Sequence, residues 1–328
     1  MPTFFSAVSL AVALGAGAQT MSGPDRAAFN KVRPWVVTLL DGGSSRGSAL
    51  VIDGKSLLMA HQTALGVPPL RGRASDGRLV SLTVLTDDPA TQLVLLRSST
   101  PLGDGSSRLK IAAVGGGRLV ALLPNGPVVA EVAGEERIGM MPAAQRLFTL
   151  NEIQFESPQS TIGGAPLINM QGELVGVLGA ALAPENSHLG NAMEIARPMA
   201  QPSAKMLGMA KFGPSGMTVG YALTADVVQR VVAGFLSPDR KVQHPILGVM
   251  CREVEHEAGV LIEVVQPNSP AHKAGLKKGD LIVEMNGDPV AGMADYGRVM
   301  ARQRVGAVLS LTIRRGGAMR IVRVLVAA

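Results

Sequence analysis

The stretch Ser269-Pro-Ala-His-Lys-Ala-Gly-Leu-Lys-Lys-Gly-Asp-Leu-Ile-Val-Glu-Met-Asn-Gly287 decides the fold of the C-terminal third of this chain. Ser269 can cap a short helix, Pro270 suits its first position, where no amide hydrogen is needed, and Gly275 ends it. Gly279 opens a strand that runs into Asn286-Gly287, a dipeptide that tolerates the positive φ of a tight hairpin turn. Upstream, Ile246-Leu-Gly-Val249 opens the unit and Val260-Leu-Ile-Glu-Val-Val265 reads as a strand. Downstream, residues 293–303 form an amphipathic helical pattern, and residues 309–315 and 319–325 flank Gly316-Gly317 as a hairpin. Residues 244–328 are therefore expected to form one α+β domain.

Moving toward the N-terminus, Ser237-Pro-Asp-Arg-Lys-Val-Gln243 reads as a linker. Before it, Thr224 can cap a helix that places Val227, Val228, Val231, Val232 and Phe235 on one face. Residues 31–115 hold short apolar runs separated by Asp41-Gly, Asp53-Gly and Asp76-Gly, the pattern of a small antiparallel barrel. A second set of runs between 116 and 236 suits another barrel, closed by the helix and interrupted by a long insertion at 183–212. Met193, Met199, Met206 and Met209 in that insertion read as flexible gap-fillers rather than metal ligands.

The composition agrees with aliphatic barrels: aromatics are only 3% while Gly reaches 39 of 328 residues. A net charge of +6 without a Lys/Arg block argues against nucleic acid as a partner. Cys251 is the single cysteine, so no intrachain disulfide can form, and no Cys/His spacing resembles a metal site. No metal and no cofactor is expected. Residues 4–18 are apolar and end Ala16-Gly-Ala18, an export-signal pattern too short to span a bilayer comfortably. Residues 1–18 are read as that signal and 19–30 as a mobile start of the mature chain. The implied location is periplasmic or extracellular, with no membrane contact beyond the signal.

Three blocks carry a resemblance: Gly47-Ser-Ala-Leu-Val-Ile52 with Leu58-Met-Ala-His61; Asp88-Pro-Ala-Thr-Gln-Leu-Val-Leu-Leu96; and Thr161-Ile-Gly-Gly-Ala-Pro-Leu-Ile-Asn169 running into Gly172-Glu-Leu-Val-Gly176. Together with the C-terminal string, they resemble the HtrA/Deg type of trypsin-like serine protease with one PDZ domain. The resemblance implies a mostly β fold, with two chymotrypsin-like six-stranded barrels followed by an α+β PDZ domain. His61 falls on the family's catalytic His, Gln92 on the catalytic Asp and Gly163 on the nucleophilic Ser.

Such hydrolysis needs an activated hydroxyl, a base, and a group that fixes the base's tautomer. Gly163 has no side chain, and an amide in place of the triad's Asp costs about 10⁴-fold in turnover. A hydroxyl displaced to Ser160 or Thr161 would lie several ångströms off the geometry that attack requires. Without its partners, His61 reads as a leftover imidazole that is packed or partly exposed, and Asp87, Asp88 and Glu156 read as solvated loop charge. The resemblance further implies that the Ile246, Leu247, Gly248 and Val249 loop receives a peptide's terminal carboxylate, with Met293, Tyr296, Val299 and Met300 lining the pocket for an apolar last side chain. Ile246 stands where the family usually has Tyr.

The expected function is thus an exported HtrA-like protein without catalysis. It would bind C-terminal or unfolded peptide segments as an adaptor, holdase or regulator, with active HtrA relatives or itself as further partners. Two other readings stand beside it: an endopeptidase with a displaced nucleophile, and a structural assembly protein.

Overall fold

The computed structural model describes residues 21–141, 146–155, 162–179, 211–212 and 218–328. The expected signal at 1–18, Ser160, Thr161 and all but two residues of the 183–212 insertion lie outside the described residues.

The chain enters on a helix, α1 (Gly23–Val32), where a mobile start was expected. The reason is a capping box: the Ser22 hydroxyl accepts from the Asp25 amide while the Asp25 carboxylate accepts from the Ser22 amide. Ala28 and Val32 are fully buried, and the fully buried Asp25 meets the Arg118 guanidinium at 2.8 Å. That contact holds the Asp25 carboxyl down at about 2.

The first barrel comprises β1 (Val36–Asp41), β2 (Ser44–Val51), β3 (Leu57–His61), β4 (Arg71–Ala74), β5 (Leu79–Asp88) and β6 (Leu93–Ser98), closed in the order β1-β2-β3-β6-β5-β4. The second comprises β7 (Arg118–Leu123), β8 (Gly126–Met141), β9 (Arg146–Phe155), β10 (Pro166–Ile168), β11 (Leu174–Gly179), β12 (Lys211–Phe212) and β13 (Thr218–Thr224). Pairing of β11 with β13 closes six of these strands, and β12 adds to the outside of β13. Full closure removes the exposed sheet edges that would otherwise template aggregation.

One apolar cluster joins the two barrels, containing Leu50, Met59, Leu93 and Leu95 from the first and Val120, Phe148, Leu150 and Ile168 from the second. The same cluster receives Val227, Val228, Val231 and Phe235 of α2 (Ala225–Leu236), the face read from the sequence. This packing brings the end of β3, the residues just before β6 and the loop before β10 together.

The C-terminal sheet runs β14 (Val249–Val254), β15 (Glu257–Val265), β16 (Leu281–Met285), β18 (Val308–Arg315), β19 (Ala318–Leu325), with β17 (Asp288–Pro289) paired to β16. Two helices, α3 (Pro270–Lys273) and α4 (Met293–Ala301), accompany it around a core of Leu247, Ile262, Met285, Leu309 and Ile313. Ser269 caps α3 through the His272 amide at 3.2 Å. Asn286 and Gly287 both take positive φ in the β16–β17 turn. Among the described residues no helix is long and apolar enough to cross a membrane.

Candidate functional site: an inter-barrel crevice and a groove beside an open strand

His61 ends β3 with 1% of its surface exposed. Burial pulls its pKa down from 6.5 to about 4, so the ring is neutral near pH 7. Its Nδ1 accepts the Thr63 backbone N–H at 3.3 Å and lies 2.8 Å from the Thr63 hydroxyl. Thr63 thus holds the Nδ1 side of the ring, whichever ring nitrogen carries the proton. Nε2 is buried and finds no partner among the described residues. In a serine protease Nδ1–H donates to Asp and Nε2 takes the proton from Ser; here Nδ1 meets Thr63 where that carboxylate would stand.

Gln92 reaches the same place through its backbone. It has φ 59°, donates its N–H to the Asp88 carbonyl at 2.8 Å and accepts the Gln62 N–H at 2.8 Å. The imidazole's Nδ1 is taken by Thr63 rather than by the Gln92 side chain. From the second barrel, the loop at Gly163-Gly164 closes onto His61. A Cβ at Gly164 would stand 2.9 Å from both His61 Cβ and Thr63 Oγ1, and φ there is +79°. Glycine alone fits that approach. Ile162 is buried in the second barrel's core, and the Gly164 amide donates to the Leu178 carbonyl at 2.6 Å, which anchors the loop on both sides of Gly163. The structure therefore brings His61, Gln92 and Gly163 to one crevice, and none of the three supplies a hydroxyl or a carboxylate.

Asp88, expected as a solvated charge, is instead buried at 4% exposure. It accepts from the Thr91 hydroxyl at 2.5 Å and from His244 Nε2 at 2.9 Å. Burial alone would raise its pKa, but the His244 and Thr91 bonds outweigh this and hold it below the usual carboxylate value. His244 lies just ahead of the C-terminal domain, with the edge of its ring against Phe148 at 5.7 Å. Sequence reasoning missed this pair because its members stand 156 positions apart.

The second candidate site lies between β14 and α4. β14 is the end strand of its sheet, so its outer backbone groups pair with no strand among the described residues. The loop leading into it is held by carbonyls: Leu247 accepts from the Ala271 amide and Gly248 from the Gln266 amide, both at 2.9 Å. Gly248 has φ +76°, and a Cβ there would fall 2.2 Å from Ser269 Cβ. Half-buried Val249 and Cys251 of the strand, and Met293, Tyr296 and Met300 of the helix, pack on the core while keeping part of their surface open. Leu247 and Val299, from the same sequence-derived set, face the core instead, at 2% and 7% exposure, and Ile246 is tied by a bridge to Ala327. Burial, with the Glu263 carboxylate adding to it, pushes the Cys251 thiol up to about 12, so it stays a neutral apolar contact.

Residues 245–326 match the PDZ domain family. The chain is 25% identical over 292 residues to the periplasmic serine endoprotease DegP of Salmonella typhimurium, covering 83% of this chain and 54% of that protein. It is 31% identical over 166 residues to a probable periplasmic DegP-like serine endoprotease of Pseudomonas putida (strain W619), covering 47% of this chain and 28% of the relative. The chain thus spans about half the length of the curated relatives it matches. In fold it is similar to the HtrA-type protease AlgW, solved with a decapeptide, at a TM-score of 0.61 and 17% identity, covering 92% of this chain and 98% of AlgW. With two closed barrels, an inter-barrel crevice and a C-terminal segment that matches the PDZ family, this chain is similar to the HtrA/DegP-type serine proteases.

Proposed function

We propose that this chain is an exported, non-hydrolytic HtrA-type protein that captures peptide segments in its PDZ groove. One observation carries the loss of catalysis: the loop that closes onto His61 through Gly164 has Gly163, which bears no hydroxyl, where the family's nucleophile stands. The missing Asp compounds this, since Gln92 brings no charge to stabilise an imidazolium. The open edge of β14 and the half-exposed apolar residues beside it support peptide capture by strand addition. The periplasmic location of the relatives and the apolar stretch at 4–18 support export. Binding partners are then protein C-termini with an apolar last residue, and the role is that of adaptor, holdase or regulator in protein quality control.

The test is incubation of the full chain with casein and with a fluorophosphonate probe, followed by mass spectrometry. No cleavage and no adduct are expected. Cleavage that is lost in His61→Ala, with an adduct on Ser160 or Thr161, would establish the endopeptidase reading instead. Failure to bind any C-terminal peptide, together with a stable oligomer, would favour an assembly role.

A further inference from the structure

The groove between β14 and α4 is barred at one end by a single side chain. Val249, Cys251 and Glu253 alternate along β14, and the extra residue in the pairing with β15, between Met250 and Cys251, falls on the β15 side. Glu253 reaches across to the start of α4, where its Oε1 accepts the Met293 N–H at 2.8 Å. The helix has Gly292 at its cap position and no side-chain cap of its own, so the strand supplies what the helix lacks. A Cβ at Gly292 would come within 2.5 Å of Glu253 Oε1, which shows how closely the carboxylate lies over the helix start. The positive end of the helix dipole favours a carboxylate there. Among the described residues the second oxygen of Glu253 makes no hydrogen bond or ion pair. The nearby cations are engaged elsewhere: Arg252 with Glu263 at 2.8 Å, and Arg298 with Asp295 at 2.8 Å.

We infer that Glu253 determines the specificity of the groove, closing its far end so that about five C-terminal residues of a ligand are seated and the fifth from the end, which faces the same side as Glu253, is preferentially Lys or Arg. The inference rests on the groove being a peptide site. The arithmetic is that of an extended chain: from Val249, beside the loop, to Glu253 is four residue steps, about 13 Å at 3.3 Å per step. A strand added to β14 with its carboxyl end at the Ile246–Gly248 loop therefore reaches Glu253 about four residues later. There it meets a carboxylate oxygen with no other partner, which a basic side chain can pair with while the bond to Met293 stays intact. A longer ligand must lift off the strand or displace Glu253.

The experiment is fluorescence anisotropy of the full chain with labelled peptides ending in Leu, five or nine residues long, carrying Lys, Ala or Glu at the fifth position from the end. Two variants accompany it: Glu253→Gln, which keeps the reach and an oxygen acceptor but not the charge, and Glu253→Ala, which removes the bar. In the native chain the Lys peptide should bind about threefold tighter than the Glu peptide, the scale of a partly exposed ion pair. That preference should vanish in Glu253→Gln. Lengthening from five to nine residues should gain nothing in the native chain and a clear increase in Glu253→Ala. The same Lys preference in all three proteins, or the same gain with length, would overturn the inference while leaving the groove as a peptide site. No binding by any of the three would overturn the groove itself and the inference with it. Binding by Glu253→Ala alone would support the bar as a closed gate.

Discussion

At the scale of one residue, His61 shows how burial and a neighbouring amide redirect a side chain. Its ring is held neutral, with a pKa of about 4, because the site removes it from water and offers no counter-charge. The linkage sign follows from this. The unfolded chain takes up a proton near 6.5 and the folded chain does so only near 4, so in this window the unfolded state binds more protons. Stability from this group is fully present above about 6.5 and is lost as pH falls to about 4, on the order of 3 kcal/mol. Nitrogen-resolved NMR of the five histidine rings should find one that stays neutral down to about pH 4. Urea unfolding at pH 7, 5.5 and 4.5 should steepen less with acid in His61→Gln than in the native chain. A ring that titrates near 6.5 would restore a base poised near neutral pH and undercut the non-hydrolytic reading.

At the scale of elements, what could be read from the sequence was what short range determines. The Ser269 cap, Pro270, Gly275 and the Asn286-Gly287 turn each act within a few residues, and each sits in the structure where the string placed it. The apolar face of α2 was legible for the same reason, because helical spacing is a local property. Helix α1 left a legible signal in Ser22-Gly-Pro-Asp25, a cap with its reciprocal acid, which was passed over because the segment has so little apolar surface. The acid Asp88 was misread because its environment is set by His244, far along the chain, and the burial of His61 depends on a loop from the other barrel. Helix α4 illustrates the same limit. Its amphipathic face was apparent, but its packing on β8 and β9 was not: a Cβ on buried Gly297 would stand 2.7 Å from Ile138 Cγ2 and 3.1 Å from Leu147 Cδ1. Ile138 is itself buried and β-branched, so it has little room to yield. Gly297→Val should therefore weaken this docking by about 1–3 kcal/mol, the usual cost of overpacking. Limited trypsin digestion should cut faster at Arg240 and Lys241 in that variant, while the C-terminal domain keeps its own fold by NMR.

At the scale of the whole molecule, the PDZ domain is held to the barrels by contacts of very different strength. Arg302 meets Glu136 at 2.9 Å, but both side chains are more than half exposed, so the pair contributes about 0–1 kcal/mol. Arg230 donates to the Ala301 carbonyl at 3.0 Å at the end of α4. These groups border a cleft of about 650 Å³ between α2, the second barrel and the PDZ domain, so solvent reaches this side of the junction. The pair of Asp88 and His244 differs in kind, with side-chain exposures of 5% and 7%. Removing one member of such a pair leaves the other buried without its partner, a cost of about 3–5 kcal/mol. The linker end is thus pinned to the first barrel, and the domain's freedom is set there more than at the exposed ion pair. Asp88→Asn should increase the radius of gyration in small-angle scattering and speed cleavage of the 237–243 linker, whereas Arg302→Ala should change neither. Acid should act in the same direction: the Asp88 carboxyl sits below its ordinary value in the folded chain, so its contribution is present above about 3.9 and is lost as pH falls past the folded value. His244→Gln combined with Asp88→Asn should cost less than the sum of the two single changes, because the second removes a group the first has already orphaned. Strict additivity, or an unchanged radius in Asp88→Asn, would transfer the hold to the Gly297 face, where the packing of α4 on β8 and β9 would carry it alone.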